Sequence, residues 1–581
     1  RDGRVVTCGR RVHPAWWLSL AIASAMSAPA YAQSFNWTGN QSLNWNHPQN
    51  WDPQQVPGVQ VPGANAHVMS ANDTVQVTYH LTLGHLETMV PVRFWSIIVT
   101  AGSADTTDLI NQTSDFYVGA LNLNGVTQWN GGILGGGSTA NNNGTLLINT
   151  TMNLRKPLTN LGLVSQVGTT YLGVGGDIVN QSTWDIGSTN LGLLLDGASN
   201  GMFLNNGLLR SNATGTFTLG VPFDSGAGSV QINAGEFVVK RDGTYDGTWT
   251  LANNAVLKFL TMQDETANFH ANATFHGQGD VRVNGTKWWV HDGAIVTAAM
   301  DASSPTGFQI DSAYTTILDG TLLNMGKMRW SSGSLDGMGG LENRATLTVS
   351  GASQLRTTIA NTDGGTAQQL TSITFVNGLL DLQQGSQWEL AAGHLSSAGG
   401  SNQVIIDGLL RRTGGQAVFA NISVPILMFD GLITLESNGM LGLNAGGEFA
   451  GDGGIEFMTP TVVQLNNSAF EVSGMPTITG TPESTFRLAA NAGLHTTGGT
   501  MTVALDAADT TRGFQLLGSI TSDGPGNGAV INKESMNAIG ALIGTALNPD
   551  GELINDGRLV ISSVMTVFGR LMNGVDGKVA Q

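Results

Sequence analysis

The feature that most constrains the fold is the repetition of short alternating strands bounded by glycine or asparagine. Runs of four to six residues carry β-branched or aromatic side chains at alternate positions, and each run is followed by a turn former. Clear examples lie at 144–148, 235–239, 255–259, 345–349 and 557–561. Scarcely any window shows the 3.6-residue period of an amphipathic helix. The pattern predicts an all-β fold in which a sheet winds on itself.

A longer period of about 205 residues lies above the short strands. Gly-Ile-Leu-Gly-Gly at 132–136 recurs as Gly-Ser-Leu-Asp-Gly at 333–337 and as Gly-Ala-Leu-Ile-Gly at 540–544. Gly-Phe-Gln-Ile at 307–310 likewise recurs as Gly-Phe-Gln-Leu at 513–516. A super-repeat made of short strands predicts several stacked coils in each copy. With roughly 20–25 residues per coil, about 22–27 coils would form a rod roughly 105–130 Å long.

Composition supports an elongated array over a set of ordinary globular domains. Glycine makes up 79 of the 581 residues, while charged residues are only 12%, so the residues typical of exposed helix faces are scarce. The apolar fraction of 41% argues against disorder. We predict an elongated right-handed parallel β-helix, or β-solenoid, over 121–581. Residues 33–120 are predicted to form an N-terminal cap and the first coils, and the whole is predicted to be a monomeric rod.

Residues 1–32 have the organisation of an export signal. Arg10 and Arg11 precede an apolar run from Ala15 to Met26, and Ala-Tyr-Ala at 30–32 provides a small-residue cleavage site. The apolar run is too short to span a bilayer, and a buried N-terminal helix is the alternative interpretation. The sequence predicts a signal peptide over 1–32 and a secreted or cell-surface location. The single cysteine, Cys8, lies before the cleavage site, so the mature chain is predicted to contain no disulfide.

The charge of the chain excludes some partners. The formal net charge is −17, and no basic stripe is visible in the sequence, so nucleic acid is not predicted as a partner. No cofactor is predicted, although bound calcium is an open alternative for so acidic a chain. Glycine-rich segments that contain Asp, such as 451–454, are isolated and do not form the tandem series of a calcium-binding repeat.

Tryptophans are the candidate binding residues. Trp37, Trp45 and Trp51 lie among turn residues near the start of the mature chain. They predict an aromatic cap on one end of the array, and an aromatic sugar-binding surface is the alternative. Trp288 and Trp289 are adjacent on a predicted strand, where successive side chains point to opposite faces, so one of the two indoles must lie outside the core. An outward indole can stack on a sugar or on an aromatic side chain of a partner.

No catalytic constellation stands out in the sequence. A polysaccharide lyase or glycosidase needs clustered carboxylates, and the candidates are Asp242 with Asp246, Asp264 with Glu265, and Asp301. The first two stand in Asp-Gly dipeptides, which are ordinary turn formers. Asp301 has a counterpart, Asp506, at the repeat spacing. A residue that recurs with the repeat is better explained by coil geometry than by a single active site, so a non-enzymatic role is favoured.

Several phrases resemble large bacterial extracellular β-helix proteins of the autotransporter-passenger and adhesin type. They are the opening Trp-x-Gly and Asn-Trp phrases, Trp-Asn-Gly-Gly at 129–132, Trp-Ser-Ser-Gly at 330–333 and Phe-Leu-Asn-Asn-Gly at 203–207. The resemblance covers most of the mature chain. It implies a secreted or surface-displayed structural or adhesive protein, with glycans or proteins of host or neighbouring cells as partners.

The resemblance also raises the expectation of a membrane barrel or anchor beyond Gln581. The same architecture is compatible with two other functions, which stay open at this point. One is a carbohydrate-active β-helix enzyme, either a polysaccharide lyase or a glycosidase. The other is a secreted glycan-binding module.

Overall fold

The structure, a computed structural model, describes residues 34–38, 45, 48–57, 65–68, 75–83, 85–88, 92–99, 107–111 and 116–580, with gaps at 137–138, 188–190, 261–264, 363, 415–418, 508, 510 and 547–548. Strands account for 56% of the chain, and parallel coils stack into a β-solenoid of about 20 turns. The predicted all-β solenoid class is therefore confirmed. The short 3-10 turn Pro48–Asn50 is the one helical element among the described residues. The predicted signal peptide lies outside the described residues.

Each coil contributes a strand to each of three parallel sheets, which we call sheets 1, 2 and 3 in the order in which the chain enters them. Thr145 lies opposite Leu163 in the next coil, and Leu163 lies opposite Thr183 in the coil after that. The spacing between coils ranges from 16 residues at His80 and Ser96 to 31 residues at Ser34 and Asn65. At about 4.8 Å per coil, 20 turns form a rod roughly 95 Å long.

Six long strands run through a corner and belong to more than one sheet; they are Val75–Leu83, Val92–Val99, Phe116–Leu123, Phe308–Leu318, Lys327–Asn343 and Ser353–Asn361. The other strands of sheet 1 are Ser34–Trp37, Asn65–Val68, His85–Thr88, Thr107–Asn111, Val126–Trp129, Thr145–Ile148, Leu163–Gln166, Thr183–Ile186, Leu208–Ser211, Ser229–Ile232, Gly247–Leu251, Ala273–Gly277, Ile295–Met300, Thr321–Asn324, Leu379–Leu382, Gln403–Ile406, Ile426–Met428, Gly447–Phe449, Ala469–Val472, Gly493–Thr496, Ser519–Ser522, Leu542–Ile543 and Thr566–Val567. The two-residue strand Trp51–Asp52 pairs antiparallel with Ser34–Trp37.

The other strands of sheet 2 are Ile133–Gly135, Met152–Arg155, Thr170–Leu172, Leu191–Leu195, Thr216–Gly220, Glu236–Val239, Val256–Phe259, Asp280–Val283, Thr346–Val349, Thr366–Gln369, Gln387–Leu390, Leu409–Arg412, Leu432–Leu435, Gly454–Phe457, Thr477–Gly480, Thr500–Ala504, Ala529–Asn532, Glu552–Asn555 and Arg570–Asn573. Those of sheet 3 are Ala140–Asn142, Leu158–Asn160, Ile178–Asn180, Phe203–Asn205, Phe223–Asp224, Gly243–Thr244, Thr266–Phe269, Lys287–Val290, Ile373–Phe375, Leu395–Ser397, Phe419–Ile422, Met440–Leu443, Val462–Leu465, Thr485–Leu488, Gly513–Leu516, Ser535–Ala538, Arg558–Ile561 and Lys578–Ala580.

Side chains that alternate inward along every strand fill one continuous interior. The middle of the rod is the most aromatic part of this core, where rings from successive coils contact one another; these are Phe203, Phe223, Tyr245, Trp249, Phe259, Phe269, Phe275, Trp288 and Phe308. Neighbouring rings meet mostly edge to face or tilted, which is the favoured geometry for aromatic pairs. A continuous hydrophobic interior of this kind stabilises the chain without disulfides.

Asparagine ladders stabilise the corners of the solenoid. In each ladder the Nδ2 atom of one asparagine donates to the Oδ1 atom of the asparagine one coil further along, at 2.5–2.8 Å. The members are Asn142, Asn160, Asn180 and Asn205 between sheets 3 and 1, Asn324, Asn343 and Asn361 between sheets 1 and 2, and Asn532, Asn555 and Asn573 between sheets 2 and 3. Because each Nδ2 atom also donates to a backbone carbonyl, the side chains satisfy polar groups that the turns would otherwise bury unpaired.

Glycine stands two residues after many of the ladder asparagines, and the reason is steric. A Cβ atom at Gly162 would lie 2.0 Å from the carbonyl oxygen of Gly144 in the neighbouring coil. At Gly162 the backbones of adjacent coils therefore approach too closely for a residue that has a Cβ atom. In the Asn-x-Gly motifs, a buried hydrogen-bonding side chain is thus followed by a position with no room for a side chain.

The three ladders lie at three different corners because the super-repeat does not contain a whole number of coils. From Thr145–Ile148 in sheet 1, nine successive pairings reach residues 340–343 in the same sheet. The segment equivalent in sequence is the next strand, Thr346–Val349, in sheet 2. The third equivalent segment, Arg558–Ile561, lies in sheet 3. Each copy is therefore rotated by one sheet relative to the copy before it.

A buried glutamine that binds an indole recurs in two copies. Gln166 accepts a hydrogen bond from Nε1 of Trp184 at 2.8 Å, and Gln369 accepts one from Nε1 of Trp388 at 3.1 Å. Each glutamine also donates to two backbone carbonyls. The third copy carries Gln581 at the equivalent sequence position, in Gly-Lys-Val-Ala-Gln at 577–581. The super-repeat therefore preserves polar contacts in the interior as well as the sequences of the turns.

Candidate functional site

The three N-terminal tryptophans pack against one another. Trp37, Trp45 and Trp51 are 6%, 0% and 1% exposed. Ring centroids are 4.4 Å apart for Trp45 and Trp51 and 5.0 Å apart for Trp37 and Trp51, both pairs edge to face. Nε1 of Trp51 donates to the carbonyl of Trp45 at 2.8 Å. The three indoles are buried against one another and present no open ring face to a sugar in solution.

The adjacent tryptophans Trp288 and Trp289 point in opposite directions, as the strand pattern predicts. Trp288 is fully buried and contacts the rings of Phe269, at 4.6 Å, and Phe308, at 5.3 Å. It is therefore a core residue and not a binding residue. Trp289 lies on the outer face of sheet 3, where it is half-buried, and its Nε1 atom donates to Oδ2 of Asp319 in the next coil at 2.9 Å.

Trp289 belongs to a row of stacked rings on the outer face. Its ring stacks on His291 at 4.2 Å, and His291 stacks on His270 at 3.9 Å. The ammonium group of Lys287 lies 5.8 Å from the indole centroid. Partial burial and the neighbouring His270 together lower the pKa of His291. Because side chains of its own surface already contact the indole, Trp289 is a weaker stacking platform than the sequence suggested.

The candidate carboxylates that the structure describes bind turns or a neighbouring arginine. Oδ1 of Asp246 accepts hydrogen bonds from the backbone nitrogens of residues 270 and 271, and Oδ1 of Asp301 accepts one from that of Ser303. Glu265 forms an ion pair with Arg241 at 2.7 Å. Asp264 lies outside the described residues. Among the residues that are described, no group of three or more His, Cys, Asp or Glu side chains is placed to hold a metal ion.

The outer face of sheet 1 carries a shallow polar groove of about 540 Å³. Its floor is formed by small residues such as Gly340 and Ala360, and its rim includes Glu342 and Arg344, which form an ion pair at 2.6 Å. Glu342 lies opposite Ala360, and Ala360 lies opposite Asp381, so the two carboxylates stand on one outward row two coils apart. Two coils correspond to about 9.6 Å between backbones.

A short basic row on the outer face of sheet 2 was missed by the sequence interpretation. Lys258, Arg282, Gln309 and Arg329 lie opposite one another on four successive coils. The sequence interpretation did not align these three cations. The separations of 24, 27 and 20 residues vary with coil length, so no fixed period revealed the alignment. Aligning the strands across the super-repeat could have found it.

Comparison with known proteins gives no relative for this chain. No protein-family model, no curated protein and no solved structure matches it. In the part of the chain that the structure describes, no helix is long and apolar enough to pass through a membrane. The functional argument therefore depends on the geometry of the solenoid itself.

Proposed function

We propose that this chain is a secreted or surface-displayed structural or adhesive rod, similar to the passengers and adhesins that its sequence resembles. The observation that carries the proposal is the unbroken stack of coils. The candidate carboxylates Asp246, Asp301 and Glu265 bind turns or a neighbouring arginine, and no group of three or more His, Cys, Asp or Glu side chains among the described residues is placed to hold a metal ion. A rod of this kind displays side chains over a long distance and needs no reacting group. Its partners in this proposal are glycans or proteins of host or neighbouring cells.

The interior supports a role outside the cell. The mature chain is predicted to have no disulfide, yet one hydrophobic core extends through the coils and buried asparagine ladders reinforce three of its corners. Stability that depends on buried apolar surface and amide ladders does not change with the redox potential of the compartment. This property suits an exported protein, and export through residues 1–32 is part of the proposal.

Binding without cleavage is the direct test of the adhesive role. The chain purified after export is incubated with cells and with neutral and acidic polysaccharides. We expect retention on at least one cell surface or glycan, with no release of reducing or unsaturated sugar ends. Release of such ends in proportion to protein concentration would refute the non-catalytic role.

Surface display is tested separately in a cell that expresses the chain with its own export signal. Protease added to intact cells, or an antibody against the solenoid, should reach the protein without lysis. A variant in which Arg10 and Arg11 are replaced by Ser is the matched control, because the charged region of the predicted signal is removed while the solenoid is unchanged. Protection of the unaltered protein from external protease, together with its absence from the medium, would contradict the predicted location.

A carbohydrate-active enzyme is the second candidate, and the groove beside Glu342 favours it. Inverting glycosidases hold two carboxyl groups about 6.5–9.5 Å apart across the scissile bond, and the backbones of Glu342 and Asp381 are separated by about two coils. If the chain cleaves a polysaccharide, E342Q and D381N should each abolish cleavage. Glu471, which lies on the outer face of the same sheet beyond that groove, gives the control variant E471Q.

A further inference from the structure

We propose that the basic row on sheet 2, formed by Lys258, Arg282, Gln309 and Arg329, binds a carboxylated polysaccharide. The proposal rests on the proposed adhesive function and names the ligand class of the rod. The ligand would lie along the solenoid axis, across the four coils that contribute the row. Its carboxylates would meet the cations, and its hydroxyl groups would meet the amide of Gln309.

The register of the row gives a regular spacing of cations. Lys258 lies opposite Arg282, Arg282 opposite Gln309, and Gln309 opposite Arg329. Adjacent positions are separated by about 4.8 Å, the distance between paired strands. This spacing is comparable to that between successive sugars of an extended polysaccharide. Since all four side chains point outward from one sheet, a single chain can contact them together.

Three carboxylates lie beside the row: Asp311 accepts from the amide of Gln309 at 3.5 Å, and the other two pair with Lys258 and Arg282. Glu236 lies 3.3 Å from Nζ of Lys258, and Asp280 lies 3.2 Å from Nη2 of Arg282. The carboxylate of Asp280 is buried and its other oxygen already accepts hydrogen bonds from Ser304 and from two backbone nitrogens, which lower its pKa. Asp280 therefore stays ionised, and its charge offsets part of that of Arg282.

Arg329 has unused capacity for an anion. Nε of Arg329 donates to the neutral hydroxyl of Ser350 at 2.8 Å, and no carboxylate lies within 4.0 Å of its guanidinium among the described residues. Arg282 already contacts Asp280 through Nη2 and its Nε atom is buried, so a ligand can reach this guanidinium only at its exposed end. A planar guanidinium binds a carboxylate with two parallel hydrogen bonds, so the free end of Arg329 suits a uronate.

The super-repeat provides an internal comparison for the row. Gln464, Arg487, Gln515 and Asn537 occupy the equivalent positions one sheet further on, in sheet 3. There the two outer cations are replaced by amides. Arg487 donates to Gln515 at 2.7 Å and to Gln464 at 3.3 Å, so its own neighbours satisfy it. The second row has one charge where the first has three, and we expect it to bind carboxylates weakly.

A nucleic acid is a poorer occupant of the basic row than a uronate chain. Binding to a duplex depends on many cations that each neutralise a phosphate, whereas the row offers three in a chain of net charge −17. The long-range repulsion between this acidic rod and a polyanion of high charge density is larger than that for a uronate with one charge per sugar. Duplex DNA is therefore a comparison ligand in the test.

The test measures affinity of the exported chain for an oligogalacturonate of defined length by calorimetry at about 20 mM and about 500 mM sodium chloride. We expect binding at low salt that is lost at high salt. R282Q and R329Q should each weaken it about 5- to 10-fold, because each removes one charge-assisted contact. R487Q, the matched change in the second row, should alter it less than about 2-fold. Circular dichroism and urea midpoints establish that the variants fold.

Four outcomes would overturn the assignment. The first is that oligogalacturonate does not bind at low salt, and the second is that its methyl-esterified form binds equally well. The third is that R282Q and R487Q have equal effects. The fourth is that a sulfated heparin oligosaccharide or duplex DNA binds more tightly than oligogalacturonate. Retention on cells without oligogalacturonate binding would refute the basic row as the site while leaving the adhesive rod in place. Loss of both would refute the two proposals together.

Discussion

Removing one member of a buried asparagine ladder should destabilise the solenoid far more than removing one member of an exposed asparagine pair. Asn160 is fully buried, and its side chain makes three hydrogen bonds: it accepts from Asn142 at 2.7 Å and donates to Asn180 at 2.7 Å and to the carbonyl of Thr183 at 3.0 Å. Each such bond contributes about 1 kcal/mol net, and an orphaned buried acceptor costs about 1–3 kcal/mol. We therefore expect Asn160→Ala to lower the free energy of unfolding by about 3 kcal/mol.

The matched control is Asn149→Ala. Asn149 donates to Asn130 at 2.8 Å, so the pair has the same chemistry, but it is exposed to solvent. Its removal should change the free energy of unfolding by less than about 0.5 kcal/mol. Urea denaturation gives the global value, and hydrogen exchange at residues 158–166 and 178–186 reports local opening, because long arrays need not unfold in two states. Equal effects of the two substitutions would refute the structural role assigned to the ladders.

Three further predictions concern buried side chains. Trp288→Ala should destabilise the fold by about 3–5 kcal/mol, since it empties the aromatic core, whereas the outward Trp289→Ala should cost less than about 1 kcal/mol; similar urea midpoints for both would contradict the inward orientation of Trp288. Gln369→Leu leaves the indole nitrogen of Trp388 without its acceptor and should cost about 1–3 kcal/mol, against little effect of Gln368→Leu on the outer face. Burial lowers the pKa of Lys156 from 10.5 to about 8. Between these values the unfolded chain retains a proton that the folded protein has released, so stability should rise by about 1–3 kcal/mol as the pH increases from 8 to 10.5. Lys156→Met should abolish this rise in a urea titration at the two pH values, and the exposed Lys240→Met should keep it.

The fold class was predictable because strand alternation is a local signal. Burial alternates along strands such as Thr145–Ile148 as the side-chain types require. The corner asparagines were not predicted as core, because Asn-x-Gly is also the ordinary phrase of an exposed turn. Only the stacking of one corner on the next buries Asn160 and gives its amide a partner. That information belongs to the register between coils and is absent from any single turn.

The candidate site residues were predictable only in part, for a similar reason. Strand geometry required that one of Trp288 and Trp289 point outward. The sequence does not tell which one, because both are tryptophans. The choice depends on which of the two side chains faces Phe269 in the neighbouring coil. The basic row was hidden because the coils that separate Arg282 from Arg329 differ in length. Local sequence patterns thus predict the strands. Which outward side chains line up from coil to coil depends on the number of residues in the turns between the strands.

The rotation of the super-repeat limits what the rod can bind. If each copy contained a whole number of coils, equivalent outward residues would stack on one sheet and could form a continuous binding strip. Because each copy advances by one sheet, the row at Arg282 lies on sheet 2 and its equivalent at Arg487 lies on sheet 3. A straight polysaccharide on one sheet therefore cannot contact both rows. The basic row must act as a single short site, so its affinity depends on its own three cations and gains nothing from repetition along the rod.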